Sequence, residues 1–259
     1  MSTNAPSNEA TERIADHPVV SQEEWLAARK TLLKKEKEFT RQKDALSAER
    51  RALPWVKIEK PYIFTGPGGE ETLADLFAGR NQLIIYHFML GPDWEQGCMG
   101  CSFLADHIDG ANIHLPHAGV TLVVVSRAPL DKIEAYKKRM GWKFKWVSSF
   151  NSSFNFDFQV SHTEEAMAKG DVFYNYDLRE GNDELPGASV FYKDAAGNVF
   201  HTYSTYARGT EQFAGTYNFL DLAPLGRGEN GPNFNMSDWL KRHDQYEDTR
   251  AKNSSCCSE

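Results

Sequence analysis

The first regular pattern of apolar residues lies between residues 21 and 51. This stretch is rich in residues that favour helices and contains neither glycine nor proline. Ser21 followed by Glu24 is a capping-box pattern, in which hydroxyl and carboxylate bind free backbone amides. Apolar residues recur every seven positions, at Trp25, Leu32, Phe39, Leu46 and Leu53. The pattern predicts a long amphipathic helix over residues 19–53 that lies against the main domain or a partner subunit.

A two-stranded coiled coil needs a second apolar residue in each heptad. Those second positions are mostly polar here, so the apolar stripe along the helix is too narrow for a good two-stranded coiled coil. A homodimer through helix 21–51 is nevertheless one expectation for this surface. Its Lys and Arg residues are interpreted as a solvated helix face, because isolated charges on a helix usually face water.

Beyond Pro54, which ends this helix, strand and helix patterns alternate. The continuous apolar runs at residues 82–88 and 120–126 are typical of strands covered on both faces. Between them, apolar residues at helical spacing from Leu104 to Leu115 predict one long helix. A second helix is predicted from Leu130 to Met140.

The second half of the chain closes the predicted sheet. Apolar and polar residues alternate over 154–160, which predicts a strand, and residues 161–183 are interpreted as an irregular insertion. Residues 188–193 and 198–203 predict a hairpin, followed by a final helix. The order of elements predicts a thioredoxin-like α/β mixed sheet flanked by helices, whose first strand pair is parallel and whose closing pair is antiparallel.

This organisation defines four predicted segments of the chain. They are a disordered lead (1–18), the long helix (19–53), a thioredoxin-like domain (54–247) and a flexible tail (248–259). The tail carries Cys256 and Cys257, which are expected to be incidental, with a resolving or intermolecular thiol as the alternative.

Composition and charge indicate which classes of binding partner are expected for the chain. Of its 259 residues, 41% are hydrophobic and 25% are charged, as in soluble globular proteins. The net charge of −7 disfavours nucleic-acid binding, which needs clustered Lys and Arg. No apolar run approaches the roughly 20 residues that span a bilayer. The polar N-terminus has no apolar signal segment, so we expect a cytoplasmic protein with neither nucleic acid nor membrane as partner.

The strongest candidate chemistry is the pair Cys98-x-x-Cys101, placed between a buried strand and a helix. At a helix N-terminus, free amides stabilise a thiolate and lower its pKa. Cys98 is the predicted nucleophile, and Cys101, one turn further on, is the predicted resolving thiol. A buried structural pair is the plainest alternative. A zinc site with His114 and His117 is disfavoured, because the predicted helix separates these histidines from the cysteines by roughly 20 Å.

Two further residues are candidates for substrate binding. Pro186 precedes a strand of the closing hairpin, where thioredoxin-like folds place a cis-proline that faces the dithiol and presents backbone to the substrate. Trp94 lies four residues before Cys98 and could line the site or simply pack. His87 is expected to be a core histidine, and Arg208 could contact an anion from a pocket wall.

Several longer stretches together carry a resemblance to a known family: Leu53–Val56, Tyr86–Trp94, Gly97–Phe103, Val125–Pro129, Arg139–Trp142 and His201–Gly209. They resemble the thioredoxin-like domain of unknown function 899, whose members are often named predicted dithiol-disulfide oxidoreductases. The resemblance runs from about residue 17 to residue 247, and it implies a thioredoxin-like fold and a CxxC-dependent redox activity. The chain differs from ordinary thioredoxin in Gly97 before the first cysteine, in the Met-Gly dipeptide between the cysteines and in the insertion before Pro186.

The leading functional hypothesis is a dithiol-disulfide oxidoreductase that acts on a protein or small-molecule disulfide, with neither cofactor nor metal. A thiol peroxidase, in which Cys98 forms a sulfenate that Cys101 resolves, is the second hypothesis. The third is a scaffold or zinc-binding protein with this fold, because a fold alone does not establish activity.

Overall fold

The computed structural model describes residues 17–170, 172–228 and 239–246. The predicted tail, with Cys256 and Cys257, lies outside these residues, as does the predicted lead apart from its last two positions. No helix in these ranges is both long and apolar enough to cross a bilayer.

The long N-terminal helix, α1, spans Gln22–Arg51 and begins with the predicted capping box. The Ser21 hydroxyl accepts a hydrogen bond from the Glu24 amide at 3.3 Å, and the Ser21 amide donates to the Glu24 carboxylate at 2.9 Å. Both bonds satisfy amides that the first helical turn leaves free.

Helix α1 contributes no buried side chain to the core of the domain. None of its residues is buried, and Trp25 and Phe39 are 52% and 67% exposed. Its C-terminal end reaches the domain through Arg50, whose guanidinium lies 4.8 Å from the centre of the Tyr203 ring. The predicted packing against the main domain is therefore wrong, and the homodimer through this helix stays a prediction.

Within the described residues, ten strands form two sheets. They are β1 (Val56–Lys57), β2 (Ile63–Gly66), β3 (Gly69–Thr72), β4 (Gln82–His87), β5 (Val120–Ser126), β6 (Trp146–Ser148), β7 (Val172–Tyr174), β8 (Asp177–Arg179), β9 (Gly187–Lys193) and β10 (Val199–Tyr206). The main sheet has the order β1-β10-β9-β4-β5-β6-β2-β3, and β7 pairs with β8 alone.

The centre of the main sheet has the predicted topology. Strands β4 and β5 are parallel, β9 is antiparallel to β4, and β10 is antiparallel to β9. A parallel pair joined by a helix and followed by an antiparallel hairpin is the thioredoxin-like arrangement, so this prediction is confirmed.

Short helices flank the sheet. They are α2 (Met99–Ala105), α3 (Ile108–Ala111), α4 (Leu130–Met140), α5 (Phe154–Asp157), α6 (Glu164–Ala168) and α7 (Gly215–Leu220). Segments of 3-10 helix lie at Asp75–Phe77, Leu115–Ala118, Ala207–Phe213 and His243–Gln245.

The central strands divide the core into two layers because successive side chains of a strand point to opposite faces. Leu83 and Ile85 of β4 face one cluster with Phe64 and Phe154. Tyr86 faces the other, which also contains Phe88, Cys101, Tyr136 and Trp146. The dithiol thus lies in the second layer, where aromatic side chains predominate.

The single helix predicted from Leu104 to Leu115 is wrong, since α2 ends at Ala105 and α3 is a separate turn. Carboxylates in this stretch accept hydrogen bonds from a distant loop. Asp106 accepts a hydrogen bond from the Trp142 indole at 2.8 Å, and Asp109 accepts from the Phe144 amide at 2.8 Å. These tertiary bonds compensate for the break, which apolar spacing alone does not indicate.

The strand predicted for residues 154–160 is also wrong, because the stretch contains helix α5. Phe154 and Phe158, four residues apart, both enter the core as helical neighbours do. Gln159 then has a φ of 58°, which ends the helix. The insertion over 161–183, predicted to be irregular, contains α6 and the hairpin β7–β8.

Candidate active site

Cys98 is the N-terminal capping residue of α2, reached from β4 through a loop. Its amide donates to the Met89 carbonyl at 3.0 Å. Its own carbonyl accepts from the Ser102 amide at 2.9 Å and from the Ser102 hydroxyl at 2.8 Å. These backbone bonds hold the half-buried sulfur of Cys98 beside the free amides of the first turn.

Cys101 lies one turn further on and is buried, and both thiols are free. The Met89 amide donates to the Cys101 sulfur at 3.5 Å. Burial raises the pKa of Cys101 well above its ordinary value, and the hydrogen bond to Cys98 and the charge of Cys98 raise it further. Cys101 therefore keeps its proton while Cys98 is ionised.

The opposite shift makes Cys98 a thiolate near neutral pH. The hydrogen bond from Cys101 is the largest cause that lowers the pKa of Cys98 to about 6. The amides of Cys101 and Gly100 and the charge of Arg242 lower it too, whereas burial opposes them. Of the two adjacent sulfurs, Cys98 is thus ionised and Cys101 keeps its proton. An attacking thiol and a resolving thiol need these two protonation states.

Arg242 comes from the C-terminal segment 239–246, and the sequence offered no spacing signal for it. Its guanidinium donates to the Gly97 carbonyl at 2.6 Å and 3.1 Å and to the Tyr136 hydroxyl at 3.0 Å. That hydroxyl lies 2.9 Å from the Ser102 hydroxyl. Arg242 therefore supports the loop before Cys98 and also supplies positive charge there.

A cavity of about 330 Å³ opens beside the two sulfurs. Apolar groups form most of its wall, and Arg208, Thr210 and Glu211 provide polar groups. The predicted wall residue Arg208 is thus present, although its guanidinium pairs with Glu211 at 2.9 Å. The remaining lining residues are Tyr86, Met89, Cys98, Gly100, Cys101, Phe103, Leu104, Pro186, Ala207, Ala214 and Tyr217.

Pro186 lines this cavity opposite the dithiol, but the cis peptide bond expected for it is wrong, since no described peptide bond is cis. Its carbonyl accepts a hydrogen bond from the Tyr174 hydroxyl at 2.6 Å. The same hydroxyl accepts from the Ala207 amide at 2.8 Å. Tyr174, on the insertion hairpin, thus joins two parts of the cavity wall, a role that no sequence pattern indicated.

The segment before Pro186 is anchored by a buried ion pair. Glu184, 1% exposed, binds Arg127 at 2.5 Å and accepts a hydrogen bond from Ser161 at 2.7 Å. Burial raises the pKa of Glu184, and the charge of Arg127 opposes that rise. These contacts connect the segment before Pro186 to Arg127 and Ser161.

Trp94 is placed beside the site and not among the residues that line the cavity. Its indole donates to the Asp183 carboxylate at 3.0 Å, and its ring packs against the core layer that contains Cys98. Trp94 thereby ties the loop before Cys98 to the insertion. Its proposed contact with substrate stays a prediction.

His87 lies in the core, as expected. Its Nε2 is 2.9 Å from the Ser189 hydroxyl, and its ring stacks on Phe154. Burial is the main cause that lowers its pKa to about 3. In the part of the chain that the structure describes, no three His, Cys, Asp or Glu side chains converge as metal ligands would.

Several solved peroxiredoxin structures are similar to this one over most of their length. Xanthomonas campestris peroxiredoxin Q has 13% identity and a TM-score of 0.43, with 68% of this chain and 99% of that chain covered. Mycobacterium tuberculosis peroxidoxin BcpB has 12% identity and a TM-score of 0.43, with 67% and 96% covered. Plasmodium yoelii Prx1a has 16% identity and a TM-score of 0.38, with 66% and 87% covered.

Comparison of the sequence with models of protein families identifies the family of the chain. No curated protein matches the chain. A family model described as "Bacterial protein of unknown function (DUF899)" matches residues 14–246, in agreement with the resemblance noted from the motifs. Because the match covers nearly all of the sequence, the chain belongs to this family, the domain of unknown function 899.

Proposed function

We propose that this protein is a thiol–disulfide oxidoreductase, with Cys98 as nucleophile and Cys101 as resolving thiol. The observation that carries the proposal is the pair itself, since the thiol of Cys101 hydrogen-bonds to the sulfur of Cys98 at the edge of a cavity. A structural pair would not need one sulfur accessible and the other protected. Pro186 lines the same cavity and is proposed to contact the substrate, and Trp94 is proposed to hold the adjoining loop in place.

The reaction follows from the protonation states of the two sulfurs. The Cys98 thiolate attacks one sulfur of a disulfide R–S–S–R, forms a Cys98–S–S–R bond and releases RS⁻. Cys101 then attacks the Cys98 sulfur, which forms the Cys98–Cys101 disulfide and releases the second RS⁻. With the Cys101 proton and one proton from water, the products are two RSH, so the substrate gains two electrons and the dithiol loses two.

The first step activates the second. While Cys98 is ionised, its charge raises the pKa of Cys101. In the mixed disulfide Cys98 carries no charge, so that cause is absent and Cys101 ionises more readily. Tyr86, whose hydroxyl hydrogen-bonds to Cys101, favours the charged form of that cysteine. The charge of Cys98 thus helps to keep the proton on Cys101 until the first step removes that charge, while burial continues to oppose the ionisation of Cys101.

A redox titration of the full chain tests this function. Glutathione buffers of increasing potential are equilibrated with the protein, free thiols are alkylated, and the Cys98 and Cys101 peptides are quantified by mass spectrometry. Reversible pairing of the two cysteines is expected. Cys98→Ser is expected to abolish turnover, and Cys101→Ser is expected to accumulate a mixed disulfide. Failure of the pair to form at any potential would refute the proposal.

Two alternatives are tested on the same sample. A thiol peroxidase would use the same thiolate, and its signature is peroxide consumption well above that of free cysteine, with a sulfenate at Cys98 in the Cys101→Ser variant. A scaffold or zinc-binding protein would show stoichiometric zinc and no reversible pairing. Zinc is therefore quantified before the titration.

We also propose a cytoplasmic location. Four cysteines in 259 residues are too few for the disulfide framework of a small secreted protein. Cell fractionation with an antibody to the full chain is the direct test.

A further inference from the structure

The cavity wall opposite the dithiol has little backbone available for a polypeptide substrate. The Leu185 amide donates to the Val160 carbonyl at 2.8 Å. Pro186 has no amide hydrogen, and its carbonyl is bound by the Tyr174 hydroxyl. Gly187 already pairs with both β4 and β10. An extended substrate chain that paired with the Leu185 amide would have to break the bond to Val160 first.

The insertion hairpin β7–β8 lies against this wall and against strand β10. Tyr174 lies on β7, and the neighbouring Tyr176 donates its hydroxyl to the Ser204 carbonyl on β10 at 2.9 Å. The rings of both tyrosines lie within 5.5 Å of the Tyr206 ring, measured between ring centres. The hairpin is therefore joined to the closing strands by hydrogen bonds and by aromatic packing.

The size of the cavity suits a small molecule. About 330 Å³ corresponds to roughly eleven water molecules at ~30 Å³ each. This volume lies at the lower end of the range for small-molecule pockets. A volume of this size is comparable with that of one half of a small organic disulfide.

The charges near the cavity are compensated within the protein. Glu211 accepts from Arg208 at 2.9 Å and from Arg227 at 3.0 Å, and Asp221 pairs with Arg227 at 2.6 Å. A charged substrate would have to compete with these pairs in a partly buried space. The rest of the wall consists mainly of aliphatic and aromatic carbon, which favours a neutral, apolar ligand.

We propose that the substrate is a small-molecule disulfide with neutral, apolar substituents, and that the insertion hairpin excludes polypeptide disulfides. This inference rests on the proposed oxidoreductase function, because the same Cys98 performs the attack. It names the substrate class of that site and assigns Tyr174 as a positioning residue that determines the choice.

Three disulfides test the proposal by single-turnover oxidation of the reduced full chain. Diethyl disulfide is apolar, 3,3′-dithiodipropionate has the same disulfide with carboxylates attached, and insulin is a polypeptide. Formation of the Cys98–Cys101 disulfide is measured, and each rate is divided by that of free N-acetylcysteine thiolate with the same reagent. The acceleration is expected to be at least about tenfold greater for diethyl disulfide than for the dicarboxylate, since burial of an unpaired carboxylate is unfavourable.

The outcomes distinguish failure of the proposed substrate class from failure of the proposed oxidoreductase function. Equal or greater acceleration with the dicarboxylate, or with insulin, would overturn the substrate class while the oxidoreductase function stands. If none of the three oxidises the pair, the proposed function itself fails.

A matched pair of variants tests the role of the hairpin. Tyr174→Phe frees the Pro186 carbonyl and the Ala207 amide, and the acceleration with insulin is expected to rise about fivefold, the value of one hydrogen bond of ~1 kcal/mol. Tyr176→Phe removes a hydroxyl from the same hairpin that binds Ser204 and does not contact Pro186, and a smaller rise than in Tyr174→Phe is expected. An unchanged insulin rate in Tyr174→Phe, with native circular dichroism, would overturn the exclusion by the hairpin.

Discussion

Removal of the Cys101 thiol should shift the titration of Cys98 more than any other single change at the site. The hydrogen bond from Cys101 is the largest cause of the lowered pKa of Cys98. Cys101→Ala removes this donor and leaves the backbone amides in place. Because the thiolate of Cys98 loses stabilisation and the thiol does not, the pKa of Cys98 must rise.

The magnitude follows from the strength of a hydrogen bond to a charged group, about 1.5–3 kcal/mol. Division by 1.36 kcal/mol per pKa unit gives a rise of about one to two units from the value of about 6. For a rise of about 1.5 units, less thiolate forms at pH 5, but each thiolate is more nucleophilic. With a Brønsted slope of about 0.45, attack is about sixfold slower at pH 5 and about fivefold faster above pH 9.

At pH 7 the two effects nearly cancel, so the assay must follow the whole pH profile. The parent protein carries Cys256→Ser and Cys257→Ser, which leaves only the two thiols of the site. The initial rate of reaction with 2,2′-dithiodipyridine is measured from pH 4.5 to 10 by the absorbance of the released thione.

The matched control is Cys101→Ser, which keeps a hydroxyl donor at the same place and should move the midpoint less. The parent should release two thiones per protein, and both single-thiol variants should release one. A midpoint in Cys101→Ala equal to that of the parent would refute the assignment of Cys101 as the dominant cause.

Three further predictions concern the surroundings of the dithiol. Arg242→Met should raise the pKa of Cys98 by less than Cys101→Ala does, because the charge of Arg242 lowers that pKa less than the hydrogen bond from Cys101 does. A larger rise in the same pH profile would contradict this. The pKa of His87 is about 3 in the folded protein and about 6.5 in the unfolded chain, so the folded protein keeps His87 neutral. Its contribution to the free energy of unfolding is therefore fully present above pH 6.5 and is lost as the pH falls toward 3. The free energy of unfolding of His87→Leu, measured with urea, should therefore depend less steeply on pH than that of the unsubstituted protein. The difference in slope near pH 4.5 should be about 1.4 kcal/mol per pH unit, and an unchanged slope would argue against a neutral His87. Gly97→Ala would place a Cβ 2.5 Å from the Phe88 ring and should lower the free energy of unfolding by about 1–3 kcal/mol, whereas a variant of native stability would show that the ring can move.

Local patterns predicted the framework of the site well. The two buried strand runs became β4 and β5, and Gly141, with a φ of 69°, ends α4 where the sequence indicated. These features depend on the properties of neighbouring residues, such as periodic burial and the conformational freedom of glycine. Elements whose form depends on distant contacts were predicted less well, as the broken helix after Cys101 and the helical turn at Phe154 illustrate.

Residues close together in the chain specify the thioredoxin-like order of strands and helices, and they place Cys98 at the start of a helix. The environment of the two sulfurs depends instead on contacts between distant segments. Arg242 reaches the loop before Cys98 from 145 residues beyond Gly97, and Tyr174 binds the backbone at Pro186. No periodicity or spacing encodes such contacts, since they arise only when separate elements pack together. They nevertheless determine the charge beside the Cys98 thiolate and the shape of the cavity next to it.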